Sequence, residues 1–191
     1  MPVEASRRSR RAFIWGATGL ALGVVGTCLA TSDDVLAGAV AATRDSARFS
    51  GLVLAAALVA RAPRPVAWSR WRTELTFAFV AAHGVHYGTV VLRALVDPDS
   101  RLRSFAIDVV LVVLFGVALL AVIARTARAT SPAGRRANAI AFYLAWTVFA
   151  LGSASRAPDS VASAVVLAAL GAAMIWRIAS QAGSRRAAAS T

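Results

Sequence analysis

Apolar residues run through this chain in long stretches, separated by short polar connections. A helix that crosses lipid needs roughly 20 consecutive, mostly apolar residues. Six stretches approach or meet that length: 13–31, about 47–60, 75–92, 104–124, about 138–154 and about 161–176. The first and fourth are long enough outright. The second and fifth are short, and a tilted or half-buried helix would serve there. Proline, which breaks a helix interior, falls in the connections at Pro63, Pro65, Pro98, Pro132 and Pro158 and inside none of the stretches. Small residues are dense within them, above all in the run from Gly16 to Gly26, which predicts close approach of neighbouring helices. The pattern predicts an all-α polytopic membrane protein, a bundle of six transmembrane helices in one domain over 13–177. A basic segment over 1–12 precedes it. A tail over 178–191, expected to be disordered, follows it.

Composition narrows the class. Of 191 residues, 58% are hydrophobic and 16% charged, and mean hydropathy is +0.65. Soluble domains carry about 45–50% apolar and about 25% charged residues, so a soluble globular enzyme and a disordered chain are both excluded. Such a chain has the lipid bilayer as its first partner. All 21 basic residues are arginine, and nine acids leave a net charge of +12. In a soluble protein that excess would suggest nucleic acid. Here the arginines flank apolar stretches and read as orientation signals instead, with no nucleic acid partner implied.

Their distribution alternates. Fifteen arginines precede the first stretch, follow the sixth, or stand between the second and third and the fourth and fifth, against only Glu4 and Glu74. The other connections hold Arg44, Arg48, Arg93, Arg101, Arg103 and Arg156, matched by Asp33, Asp34, Asp45, Asp97, Asp99 and Asp159. Losing one span would put an arginine-rich loop on the wrong side, so the alternation predicts six spans with both termini cytoplasmic. Arginine without lysine, together with abundant alanine, suggests a GC-rich bacterial genome and hence the bacterial inner membrane. The segment Ser9-Arg10-Arg11-Ala12-Phe13-Ile14 resembles a twin-arginine export signal. The apolar run after it is long for a signal core and further spans follow, so an uncleaved anchor with a basic flank is the better reading.

The chemistry-bearing residues are few. Cys28 stands alone, which excludes an intramolecular disulfide. The notable polar group inside a span is Ala82-His83-Gly84-Val85-His86-Tyr87. Three residues of helix set the two imidazoles about 60° apart on one face. Ionisable groups at membrane depth face the bundle and mark function by default. The pair could hold a metal or haem iron, act in a proton relay or touch a quinone, or be a structural pair bonded to carbonyls. Two histidines one turn apart cannot sit on opposite faces of one porphyrin, and no other span has a histidine. What remains is one histidine with a weak or vacant sixth position, one histidine with Met174, or a haem shared between copies in a homo-oligomer. Zinc would need more ligands. Gly84 could admit a flat cofactor or a neighbouring helix. Asp108 could pair with Arg101 or Arg103. Most tryptophans sit near span ends, and Trp146 lies deeper. There is no phosphate loop and no nucleotide-binding segment, so an electron donor would have to be a redox partner protein or a membrane quinone.

Two pieces of the chain resemble the ferric reductase-like transmembrane domain, a family that includes ferric reductases, NADPH oxidases and the haem-bearing membrane subunit of bacterial methionine-sulfoxide repair. The first runs from Arg48-Phe49-Ser50-Gly51-Leu52 through Arg70-Trp71-Arg72 and Leu75-Thr76-Phe77-Ala78-Phe79 to His83 and His86. The second is Ala129-Thr130-Ser131, then Arg135-Arg136, then Phe142-Tyr143-Leu144-Ala145-Trp146-Thr147-Val148-Phe149. The resemblance implies a haem b electron-transfer domain with His83 and His86 as its cofactor-binding residues, one of them the ligand of the haem iron. The family's second ligand helix carries a histidine soon after the basic residues, and here that place falls near Asn138. The alternative is therefore a non-catalytic membrane subunit or assembly partner that has lost the haem.

Overall fold

The computed structural model describes residues 2–62, 71–97 and 102–189, and among them the side chains of 11–62, 71–97 and 110–183. These residues form six α-helices and no strand: α1 (Pro2–Thr31), α2 (Val35–Ala60), α3 (Arg72–Val96), α4 (Leu102–Thr126), α5 (Pro132–Ala154) and α6 (Val161–Ala189), with a 3₁₀ turn at Ala157–Asp159. The boundaries follow local chemistry. Asp34 caps α2 by accepting the Ala37 N–H at 2.7 Å. Ser131 caps α5 by accepting from Gly134, with Pro132 at the first helical position, where its missing N–H costs nothing.

Four helices are long and apolar enough to cross a membrane: α1 from Arg11, α3, α5, and α6 as far as Gly183. The described apolar part of α4, Val110–Thr126, is shorter. Helix α2 does not qualify, and it differs most from the sequence reading. Its apolar run was expected from about 47, yet the helix begins at Val35 and carries Arg44, Asp45 and Arg48 within it. Burial explains this: α2 is the centre of the bundle, packed against α1, α3, α6 and α5. A helix screened by four neighbours does not need a lipid-compatible surface. Helix α6 likewise runs on to Ala189, through the tail expected to be disordered.

The core lies where α2, α3, α5 and α6 meet, around Leu54, Leu58, Phe79, Phe142 and Leu170, with Ile123 of α4 closing it. Outward faces are apolar, with Leu111, Leu114 and Phe115 on α4 and Ile175 on α6 more than half exposed. Close approach uses glycines other than those expected. A Cβ on Gly16, Gly19, Gly23 or Gly26 would meet nothing within 4 Å, whereas one on Gly51 would lie 2.8 Å from Val166 Cγ1 and 3.2 Å from Phe149 Cδ1. The glycine run of α1 therefore faces outward rather than into a helix contact.

Candidate functional site

Helix α3 brings His83 and His86 onto one inward face. His83 is 9% exposed, and its ring is boxed by aromatics. Phe79 stacks at 5.6 Å and His86 at 5.1 Å between centroids, Tyr87 stands edge-on at 4.5 Å, and Phe149 of α5 tilts in at 4.8 Å. The Nδ1 of His83 is buried and has no hydrogen bond. His86 is held differently. Its Nδ1 lies 3.1 Å from Ser46 Oγ of α2, and Ser46 Oγ is 3.2 Å from Thr89 Oγ1. Thr89 Oγ1 donates to the His86 carbonyl at 2.7 Å, and Thr43 donates to the Thr89 carbonyl at 3.1 Å. Thr43 and Ser46, at i and i+3, form the polar edge by which α2 grips α3, and Ser50, one turn further on, donates back to the Ser46 carbonyl. That spacing was readable in the sequence and went unused.

Two cavities adjoin the pair. One, about 410 Å³, is lined by both histidines and has a rim of Arg44, Arg48, Arg93 and Arg156. The other, about 380 Å³, is apolar and lies between α3, α4 and α5, with His83, Tyr87, Phe115, Gly116 and Phe149 in its wall. His83 stands between them. Gly116 gives Tyr87 its place, since a Cβ there would collide with the Tyr87 hydroxyl and ring.

Among the described residues no group of three or more His, Cys, Asp or Glu could hold a metal ion. His86 has the build of a ligand, because a hydrogen bond from one ring nitrogen to a fixed partner orients the other toward a metal. The pair could give a single haem one histidine at most. The residues do not fit a bis-histidine haem. Met174 lines neither cavity, and Phe149, not a ligand, faces His83 from α5.

Asn138, where the ferric reductase-like resemblance leads one to expect a histidine, has another task. It is 2% exposed, accepts from Arg61 of α2 and donates to Thr126 Oγ1 at 2.8 Å and the Ile123 carbonyl at 3.3 Å. Arg61 also bonds Thr76 Oγ1 at 3.0 Å and the Ala127 carbonyl at 3.2 Å, and lies over the Phe142 ring. Burial, aided by the nearby charges of Arg177 and Arg72, pushes the Arg61 guanidinium down to about 10, so it keeps its charge at neutral pH. This cluster ties α2, α3, α4 and α5 together at the end of the bundle away from the histidine pair.

The other singled-out residues fall as follows. Gly84 is exposed and meets neither helix nor cavity wall, so it is not the close-approach point expected of it. Cys28 is free, with Sγ 3.8 Å from Asp45 Oδ2. Trp146 does pack inward, donating from Nε1 to the Leu170 carbonyl at 3.0 Å. The pairing expected of Asp108 with Arg101 or Arg103 lies outside the described side chains. Tyr87, Gly116 and Phe149 gained their roles only from the packing. No family model, curated relative or solved structure matches this chain.

Proposed function

We propose that this chain is a six-span protein of the bacterial inner membrane with both termini cytoplasmic, and a haem b electron-transfer component of the ferric reductase-like type. The observation that supports it is the histidine pair on the inward face of α3, with His86 anchored through Nδ1 to Ser46 and both rings lining a cavity of about 410 Å³. Bound there, haem would supply a one-electron couple. His86 would hold it through Nε2. Ser46 and Thr89 fix its ring, and His83 with its aromatic box closes the cavity floor to water. Electrons come from a partner protein or a membrane quinone. The test is the visible spectrum of the full chain purified with haem supplied. A Soret band is expected, His86→Ala abolishes it, and His83→Ala keeps it. Absence of any band from folded protein overturns the haem assignment. Reporter fusions in the four arginine-rich segments test the topology, and any of them found outside the cytoplasm overturns six spans.

A second reading, a non-catalytic subunit without haem, is favoured by Asn138 and Phe149. The first has its hydrogen bonds committed to a structural cluster, and the second fills the α5 wall opposite His83. Co-purification with a redox partner and no Soret band would decide for it.

A further inference from the structure

The rim of the first cavity carries more positive charge than nearby acid. Asp45 takes Arg48 at 2.7 Å and Arg44 at 3.5 Å. Arg93 and Arg156 have no ion pair among the described residues, and Arg156 bonds only the Gly152 carbonyl. Asp159 shares with Arg44, Arg48 and Arg156 an adjoining hollow of about 380 Å³, which leaves four cations against two acids. The Nε of Arg48 is buried with no hydrogen bond, although its Nη2 donates to Ser160 at 2.6 Å and Ser163 at 3.2 Å. Those serines open α6, whose N-terminus adds positive potential at the same point.

Anionic oxygens suit this arrangement, since guanidinium groups bind phosphate in a fork with two parallel hydrogen bonds. Beneath the rim the wall turns apolar, at Val40, Ala47, Val90 and Val148. Arg93 stands in the last turn of α3, and Ser160 and Ser163 at the first turn of α6, which is the depth of lipid headgroups if these helices span. A free anion would use the rim and leave the apolar wall bare.

We infer that Arg44, Arg48, Arg93 and Arg156 hold the phosphate of one anionic phospholipid, whose apolar part lies against the wall below. This does not rest on the haem reading: the lipid's apolar part and a haem would compete for the same cavity, so the test is run on haem-free protein and reads lipid rather than absorbance. The full chain in nonionic detergent is titrated with phosphatidylglycerol, phosphatidylcholine and inorganic phosphate, and followed by native mass spectrometry and thermal melting. One phosphatidylglycerol per chain is expected, bound at least tenfold more tightly than phosphatidylcholine. Each rim arginine contributes a factor of roughly five at a membrane surface, so the double variant R93Q/R156Q should bind about thirtyfold more weakly, with Arg136→Gln unchanged. Equal binding of the two lipids, or a double variant as tight as wild type, overturns the site. Protection by inorganic phosphate at the same concentration overturns the lipid as occupant. Should the double variant fail to fold, Arg93→Gln and Arg44→Gln singly, each about fivefold weaker, decide the matter.

Discussion

Replacing Gly116 by alanine probes the wall of the site from the side away from the histidines. On an open helix surface the change would stabilise by about 0.8–1 kcal/mol, because alanine loses less backbone freedom than glycine. Here the new Cβ would collide with the Tyr87 hydroxyl and lie 2.8 Å from its Cε2. Tyr87 cannot simply turn away, since its ring stands edge-on to His83 at 4.5 Å and is part of the α3–α4 contact. Overpacking of this kind costs about 1–3 kcal/mol, so the net effect is a loss of about 0–2 kcal/mol. Removing the ring removes the collision. In a Tyr87→Ala background, Gly116→Ala should be neutral or should stabilise by up to about 1 kcal/mol. The two changes therefore couple by about 1–3 kcal/mol in a double-mutant cycle, well above the few tenths expected of independent sites. Unfolding by sodium dodecyl sulfate in mixed micelles, run on the four proteins, measures it. If Gly116→Ala has the same effect in both backgrounds, Tyr87 does not occupy the notch and the described wall of the apolar cavity is wrong.

Gly23→Ala makes the opposite case: with nothing within 4 Å of its Cβ, stability should hold or rise by less than about 1 kcal/mol in the same unfolding assay, and a clear loss would mean that α1 packs through that face. Ser46→Ala removes the partner of His86 Nδ1 and Thr89 Oγ1, with an expected cost of about 1 kcal/mol; in haem-supplied protein it should also lower haem retention, read as the Soret absorbance left after gel filtration. Asn138→Leu strands the buried end of Arg61 and should cost about 2–4 kcal/mol, more than a neutral hydrogen bond, because a charged donor loses its acceptor. Asn138→His should add no second ligand, since that position lies about 16 Å along α5 from Phe149; a low-spin bis-histidine spectrum from this variant would overturn the placement.

The helical class and its punctuation were legible because apolar run length and proline position act locally. The inward turn of the two histidines was legible for the same reason, three residues of helix being a fixed rotation. The start of α2 was not. Arg44, Asp45 and Arg48 depress hydropathy over its first half, and hydropathy cannot distinguish a charged connection from a charged helix that hides from lipid. The glycines misled in a related way. Gly16, Gly19, Gly23 and Gly26 form the conspicuous run, yet close packing falls to the isolated Gly38, Gly51 and Gly116, chosen by what lies across from them. Asn138 stood out as a gap in a family pattern. Its hydrogen bonds to Arg61 and to Thr126 and the Ile123 carbonyl of α4 come from two separate parts of the chain, and no local spacing announces them.

The position of α2 also explains why the helix that carries Arg44, Asp45 and Arg48 within its length is the one that organises the site. A charged or hydroxyl side chain facing lipid costs free energy with nothing in return, whereas one facing another helix can be paired. Arg48 is tolerated because Asp45, Ser160 and Ser163 surround it. Once α2 is enclosed, each of its polar groups can address a different neighbour. Ser46 holds His86 on α3, Arg48 reaches the start of α6, and Arg61 spans α3, α5 and the end of α4. Gly51 leaves room for Val166 and Phe149, which a Cβ there would crowd, and Phe149 is the ring that tilts against His83. A change of one methyl group at Gly51 would therefore act on the histidine pair through a single intervening side chain. The apolar outer helices supply the solvent boundary, and the specificity of the interior comes from the one helix they conceal.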